Sequence, residues 1–264
     1  MNNTPLRKAL SILNLLGFLG TVMLNYLAIT LPLNNKTTGE LSDQYPNLFV
    51  PAGFTFSIWG VIYLLLAIFV IYQLVYAFKK NRQNSSFLEK IGILFFISSL
   101  ANLGWIIAWH FELLSLSLFL MLILLGSLMS IYVKLQIGRS SNPSKSEKYL
   151  VHLPFSVYLG WITIATIANI TALLVNLGWN RFGFSEQLWT IAVLITGIVI
   201  SLIILFNRRD IFYPLVVDWA LFGILIKSLT VDELPVQSII TVVIIGMTVI
   251  SVSIIMQITR RKVY

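Results

Sequence analysis

Cysteine is absent from this 264-residue chain, and histidine and acidic residues are scarce. Without cysteine the protein has no disulfides, thiolate metal ligands or thiol redox chemistry. The two histidines, His110 and His152, cannot form a metal centre on their own. The sequence also shows no Ser-His-Asp arrangement and no pair of carboxylates at a recognisable spacing. We therefore expect no metal site, no catalytic residues and no enzyme activity.

Charge of either sign is sparse, and apolar residues dominate. Charged residues make up 11% of the chain, against about 25% in a soluble domain. Hydrophobic residues make up 58%, and the mean hydropathy is +0.88. A transmembrane helix needs about 20 predominantly apolar residues. This composition predicts an all-α integral membrane protein whose surface contacts the lipid bilayer.

Eight apolar stretches are long enough to cross a membrane, and they predict an eight-helix bundle. The first is too long for the apolar part of a signal peptide and lacks a clear cleavage site, so it is counted as a span. The second has Pro51 at its start and carries no charge until Lys79. The predicted spans are Ala9–Leu31, Val50–Phe78, Leu88–Trp109, Leu113–Gln136, Tyr149–Leu177, Gln187–Phe206, Ile211–Leu229 and Val236–Ile258.

Basic residues alternate between the two sides of these spans. Of the 18 lysines and arginines, 15 lie at the termini or in the second, fourth and sixth loops. Short loops rich in lysine and arginine stay cytoplasmic. Both termini are therefore predicted to be cytoplasmic. The net charge of +8 then reflects membrane topology and does not indicate nucleic-acid binding.

Two of the outer connections lead to structural predictions. Leu33–Asn47 is a polar outer loop that is long enough to fold over the mouth of the bundle. The outer turn around His110–Glu112 is very short, so the third and fourth spans should be antiparallel neighbours.

Tryptophan and asparagine residues recur within the predicted outer half of the membrane. Trp59, Asn102, Trp105 and Asn169 each lie roughly 8–15 Å below the surface by helix rise. Polar groups at such depth face other helices or a cavity. Aromatic walls with a few hydrogen-bonding groups suit a large, flat, mostly apolar ligand. The alternative is that these side chains only hold helices together.

Three short motifs, on the second, third and fifth spans, carry a family resemblance. They are WGVIY at 59–63, NLGW at 102–105 and YLGWITIATIAN at 158–169. In this order, after a first helix and a long outer loop, they resemble the TspO/MBR family of tryptophan-rich sensory proteins, which includes the translocator protein or peripheral-type benzodiazepine receptor. The resemblance runs from Leu10 to Leu177. It departs from the family pattern at Phe54, where tryptophan is usual, and at Val157, where proline is usual.

The resemblance implies a five-helix TspO-like domain over residues 1–178, with residues 179–264 adding three helices packed on it. It implies no required cofactor, but a pocket for tetrapyrroles such as protoporphyrin or haem, or for another flat hydrophobic small molecule. A homodimer is a further option, because the family is often dimeric. The ligand-binding residues implied by motif position are Trp59, Tyr63, Asn102, Trp105, Tyr158, Trp161 and Asn169.

Asp218 is the notable residue of the last three spans, about two turns from the inner end of the seventh. An intramembrane carboxylate is a functional candidate by default, for proton relay or pairing with a cation. The alternative is that it reaches the inner interface or bonds to a neighbouring helix.

Several further residues near the outer surface are expected to be structural. Trp109, Trp179 and Trp189 are predicted to be interfacial belt residues. His110 is predicted to be a solvated turn residue, with haem ligation as the alternative.

These observations favour a multi-pass receptor or sensor in a bacterial plasma membrane, which binds a tetrapyrrole-like ligand in an outer-half pocket. The alternative is a transporter of a small hydrophobic or amphipathic solute, ion-coupled through Asp218. An enzyme that degrades porphyrin and a scaffold whose aromatic residues merely pack are weaker options.

Overall fold

The computed structural model describes residues 4–31, 33–79, 87–139, 143–230 and 236–260, and all regular secondary structure in these ranges is helical. Within these ranges, eight apolar helices of 17 to 27 residues follow one another along the chain. They are α1 (Thr4–Thr30), α2 (Ile58–Phe78), α3 (Leu94–His110), α4 (Leu114–Lys134), α5 (Leu153–Asn176), α6 (Glu186–Arg208), α7 (Phe212–Thr230) and α8 (Gln237–Thr259).

Each of the eight predicted spans coincides with one of these helices. Seven are long and apolar enough to cross a membrane, and α3, with 17 residues, is the shorter apolar helix. Their outward faces keep large apolar side chains exposed, for example Leu16, Met23, Leu64 and Ile71. Lipid can cover such side chains at no cost. The chain is therefore a helical, multi-pass membrane protein, and the cytoplasmic location of its termini stays a prediction.

Near three of the predicted span starts the backbone departs from a regular α-helix. The stretch from Val50 does not enter α2 directly, because Gly53–Ser57 forms a 3-10 turn and the α-helix begins at Ile58. The third span is interrupted at Gly92, whose φ of +53° suits glycine, so a short helix precedes α3. A π-helical turn at Lys148–His152 leads into α5. Hydrophobicity alone does not show such local changes of backbone geometry.

The contacts divide the chain into two compact units. The first unit contains Met1–Thr37 and Ile58–Leu159, and the second contains Thr38–Ser57 and Gly160–Tyr264. Helix α5 therefore begins in the first unit and continues into the second.

The first unit is held by close helix packing. The turn between α3 and α4 spans three residues and is closed by a hydrogen bond from the Leu113 N–H to the Ala108 carbonyl oxygen at 2.8 Å. The predicted antiparallel pairing of these two helices is confirmed. Three fully buried rings, Phe69, Phe95 and Phe155, pack edge to face with centroids 4.8–5.8 Å apart.

Glycines bring helices of the second unit close together. A Cβ atom on Gly246 of α8 would overlap Ile198 of α6, and one on Gly160 of α5 would lie 3.1 Å from the Tyr213 carbonyl oxygen of α7. Small residues at such crossings allow close backbone approach, which favours association of helices in membranes. Helices α6, α7 and α8 thus pack against one another as a bundle.

Residues 38–57, which include most of the predicted outer loop, are fastened to α6 and α7. Nζ of Lys227 lies 2.8 Å from Oδ1 of Asp43. The Ala52 N–H donates to the Gly223 carbonyl oxygen at 3.0 Å. Indole Nε1 of Trp219 donates to the carbonyl oxygen of Thr55 at 2.9 Å. These three contacts hold the segment on α7, and a contact with α6 is made through Glu186.

Candidate functional site

Five of the predicted binding residues meet in the first unit as one aromatic–amide cluster: Trp59, Tyr63, Asn102, Trp105 and Tyr158. Trp59 is at its centre. Its ring stacks on Tyr63 at 5.5 Å between centroids, tilts against Trp105 at 5.9 Å and meets Tyr158 edge-on at 6.1 Å. The rings come from three helices, with Trp59 and Tyr63 on α2, Trp105 on α3 and Tyr158 on α5.

A buried hydrogen-bond chain ties the cluster to α1. Nδ2 of Asn25 donates to Oδ1 of Asn102 at 2.9 Å, and Nδ2 of Asn102 donates to the Tyr158 hydroxyl at 3.2 Å. Asn102 is fully buried, and Asn25 and Tyr158 are at most 6% exposed. The chain joins α1, α3 and α5, which is the pattern of amide-mediated helix association. Asn25 is a member that sequence reasoning missed, because it lies outside the three motifs.

The cluster also holds two buried donors that make no hydrogen bond within the described part of the chain. They are the Tyr63 hydroxyl and Nε1 of Trp105. A buried donor without a partner is costly. The rings nevertheless lie against one another, so the geometry fits helix packing as well as contact with a flat ligand.

A cavity of about 630 Å³ lies in the second unit. Ligand-binding cavities commonly measure about 300–1,000 Å³. Its walls come from residues 46–49, from the C-terminal half of α5, from the α5–α6 connection and from the start of α6. Most of the lining is apolar, including Ile167, Ile170, Leu174 and Val193.

Aromatic and charged side chains lie at the end of the cavity formed by the α5–α6 connection. Trp179 and Trp189 pack with centroids 4.9 Å apart at 59°. Arg181 and Glu186 are the charged residues in the lining. Oε1 of Glu186 accepts a hydrogen bond from the Leu48 N–H at 3.0 Å, so this carboxylate is engaged in holding the loop. Arg181 is half-buried, and its Nε makes no hydrogen bond among the described residues.

A comparison with family models matches residues 11–256 to a family described as TSPO-like protein. The chain belongs to this family. No curated protein and no solved structure matches the chain. The predicted TspO/MBR resemblance is thus confirmed at the level of the family.

The TSPO-like match is longer than the motif resemblance, which ended at Leu177. It reaches residue 256 and so includes α6, α7 and nearly all of α8. These helices are therefore part of what the family model describes in this chain. The predicted domain boundary at residue 178 stays a prediction.

The other two predicted binding residues lie in the second unit. Trp161 packs edge-on against Phe56 with centroids 6.0 Å apart, and Asn169 is buried on α5. None of the seven predicted residues lines the cavity. Their ligand contacts stay a prediction, and the cavity offers a second location that the motifs did not indicate.

Asp218 bonds to a neighbouring helix. Oγ of Ser251 on α8 donates to its Oδ2 at 2.9 Å, whereas Oδ1 is buried and has no hydrogen-bond partner among the described residues. The described residues contain no group of three or more His, Cys, Asp or Glu that could hold a metal ion.

Two expectations for the outer turn are wrong. Trp109 is only 6% exposed and stacks on Trp105 at 6.2 Å, so it belongs to the packed interior and not to an interfacial belt. His110 is fully buried, with Nδ1 2.7 Å from the Ile106 carbonyl oxygen. Both residues are buried in the last turn of α3. For Trp179 and Trp189, the belt interpretation missed their place in the cavity wall, which only their contact across the α5–α6 connection reveals.

Proposed function

We propose that this TSPO-like membrane protein is a receptor or sensor for a flat, mostly apolar ligand of the tetrapyrrole kind, such as protoporphyrin or haem. The observation that carries the proposal is the cavity in the second unit. Its volume of about 630 Å³ and its apolar lining with two tryptophans suit a large aromatic ligand.

We assign the ligand to this cavity and assign helix packing to the aromatic–amide cluster. In the cluster the rings fill the space next to one another, and Asn102 uses both its amide oxygen and its amide nitrogen in contacts with other helices. The cavity, by contrast, has unfilled volume beside the rings of Trp179 and Trp189. The fluorescence of Trp179 and Trp189 should be quenched when a ligand binds, because both residues line the cavity.

The test is quenching of tryptophan fluorescence in nanodiscs, titrated with protoporphyrin IX and haem. Thr171 lines the cavity, so Thr171→Phe fills part of it and should weaken binding at least tenfold. Thr248→Phe is the matched control, since Thr248 is exposed on α8 and does not line the cavity. Trp59→Phe and Asn102→Ala should leave the affinity unchanged.

Three results bear on the proposal. Saturable quenching that Thr171→Phe weakens supports both the function and the site. Saturable quenching that only Trp59→Phe and Asn102→Ala weaken would move the site to the cluster. Quenching that does not saturate, and that equals partition into the bilayer, would refute the receptor function.

A second candidate is a transporter of a hydrophobic or amphipathic solute, ion-coupled through Asp218. The supporting observation is that Oδ1 of Asp218 is buried without a hydrogen-bond partner among the described residues, while Oδ2 is bonded to Ser251. Uptake into proteoliposomes should then respond to a proton gradient, and Asp218→Asn should abolish that response. Ser251→Ala is the control for loss of the contact alone. Uptake that does not change with the proton gradient would refute this candidate.

We also propose a location in the bacterial plasma membrane, a homodimeric assembly and a binding function without catalysis. The sequence basis for the last point is the lack of recognisable catalytic arrangements. Protoporphyrin recovered unchanged after incubation with the protein in light and in darkness would support it, and a new product would refute it.

A further inference from the structure

We infer that the cavity of the second unit selects an amphiphile that carries an acidic group, a carboxylate or a phosphate, and that Arg181 binds this group. The inference rests on the proposed function and names the ligand chemistry of the same cavity. Three observations lead to it: the backbone around Arg181, its buried nitrogen and the distribution of charge in the lining.

The backbone holds Arg181 in an unusual conformation. Arg181 and Phe182 have φ values of +57° and +52°. Residues other than glycine rarely adopt this left-handed backbone conformation, and a residue stays in it only where surrounding contacts hold it. Here Nε1 of Trp189 donates to the Arg181 carbonyl oxygen at 2.7 Å, and Oδ1 of Asn180 accepts from the Phe182 N–H at 3.0 Å. The cavity wall itself therefore positions Arg181.

The Arg181 side chain has an N–H group without an acceptor among the described residues. Its Nε is buried and donates no hydrogen bond within the described part of the chain. A guanidinium nitrogen removed from water without an acceptor is costly, and carboxylate or phosphate oxygens are the acceptors that suit it best. An acidic ligand group beside Arg181 would supply that acceptor.

The charge of the lining favours the same ligand. Glu186 is the other charged residue of the lining, and its Oε1 is already bonded to the Leu48 N–H. Away from this end the lining is mainly apolar, with Ile167, Ile170 and Leu174 on α5. A ligand with an apolar body and one acidic end matches this arrangement better than a neutral hydrocarbon or a cation.

Two kinds of molecule fit the description of an acidic amphiphile. One is a soluble molecule such as protoporphyrin IX, which carries two carboxyl groups. The other is an anionic lipid of the bilayer, because Ile170 and Thr196 at the cavity edge are exposed on α5 and α6. Both sources share the chemistry that Arg181 recognises.

The experiment compares protoporphyrin IX with its dimethyl ester, which has the same ring and no acid. Titrations use nanodiscs of phosphatidylcholine and follow tryptophan quenching. The unaltered protein should bind the diacid at least tenfold more tightly than the diester. Arg181→Gln should remove this preference. Arg209→Gln should keep it, since Arg209 has the same left-handed φ of +57° but is exposed and does not line the cavity.

A second series replaces part of the phosphatidylcholine with phosphatidylglycerol. If anionic lipid occupies the site, the diacid affinity of the unaltered protein falls as phosphatidylglycerol rises, and Arg181→Gln removes that dependence. If the soluble acid is the occupant, the tenfold preference persists without such dependence.

The inference is overturned if the unaltered protein binds diacid and diester equally, or if Arg181→Gln keeps the preference. Comparing the two ligands on the unaltered protein needs no variant, so a folding defect cannot obscure the result. Saturable binding of both compounds with equal affinity refutes the acid selectivity alone. Absence of saturable binding by either compound refutes the proposed function itself.

Discussion

The backbone N–H of Leu48 donates a hydrogen bond to Oε1 of Glu186 at 3.0 Å, joining the segment before α2 to the first turn of α6. The two residues are 138 positions apart in sequence. The same segment also meets α7 through Asp43, Ala52 and Thr55. Helices α6 and α7 therefore hold residues 38–57 in place, and they do so at the edge of the cavity.

Two of the polar attachments of this segment, Leu48–Glu186 and Asp43–Lys227, should differ in strength. A hydrogen bond from a backbone N–H to a carboxylate contributes about 1.5–3 kcal/mol. The Lys227–Asp43 pair has side chains that are 34% and 48% exposed, so water and salt reduce it to about 0–1 kcal/mol. Glu186→Ala should speed hydrogen exchange in residues 44–52 about tenfold, since tenfold corresponds to about 1.4 kcal/mol. Lys227→Ala should change it less than about threefold. Equal effects in hydrogen-exchange mass spectrometry would contradict this ranking.

Gly223→Ala should destabilise the second unit. A Cβ atom at Gly223 would overlap the hydroxyl of Thr55, and the segment that carries Thr55 is tied to α7 by two further hydrogen bonds. Overpacking of this kind costs about 1–3 kcal/mol. Gly126→Ala on α4 is the matched control, because a Cβ there has no atom within 4 Å and helical alanine is favoured over glycine by about 1 kcal/mol. Thermal unfolding in detergent should separate the two variants, and a loss of stability equal in both would refute the close contact.

Asn102→Ala should lower stability without lowering ligand affinity. The change removes the partner of Asn25 and Tyr158 in the interior of the first unit, which costs about 1–3 kcal/mol. Asn207→Ala is the control, because Asn207 is exposed on α6 and such changes stay within about 0.5 kcal/mol. Thermal unfolding and the protoporphyrin titration are measured on both variants. A loss of affinity with no loss of stability would make Asn102 a ligand contact.

The absence of cysteine makes the predicted topology directly testable. Ser146→Cys lies in the fourth loop, predicted cytoplasmic, and Ser185→Cys lies in the α5–α6 connection, predicted to be outside. Both positions are exposed. A membrane-impermeant maleimide should label Ser185→Cys on intact cells and should label Ser146→Cys only after permeabilisation. The unaltered chain is the blank, and the reverse pattern would invert the predicted orientation.

The candidate site shows how far local sequence patterns extend. Residues of the three motifs contact one another, since Trp59 packs against Tyr158 and Asn102 donates a hydrogen bond to the Tyr158 hydroxyl. They did not indicate Asn25, which carries the hydrogen-bond chain to α1. They also did not indicate the cavity, since its walls come from segments far apart in sequence and Ile167 is the one lining residue that lies within a motif.

The sequence by itself determined the all-helical membrane class, the eight apolar helices and the family resemblance. These features depend on hydrophobicity, helix length and short-range motifs, which are properties of single segments. Only the tertiary structure decided that α6 and α7 hold residues 38–57, that Trp109 and His110 turn inward, and that Trp179, Arg181 and Trp189 border a cavity. The physical reason is that each of these features depends on the approach of side chains from different elements, and helix periodicity specifies which face is buried without specifying its partner.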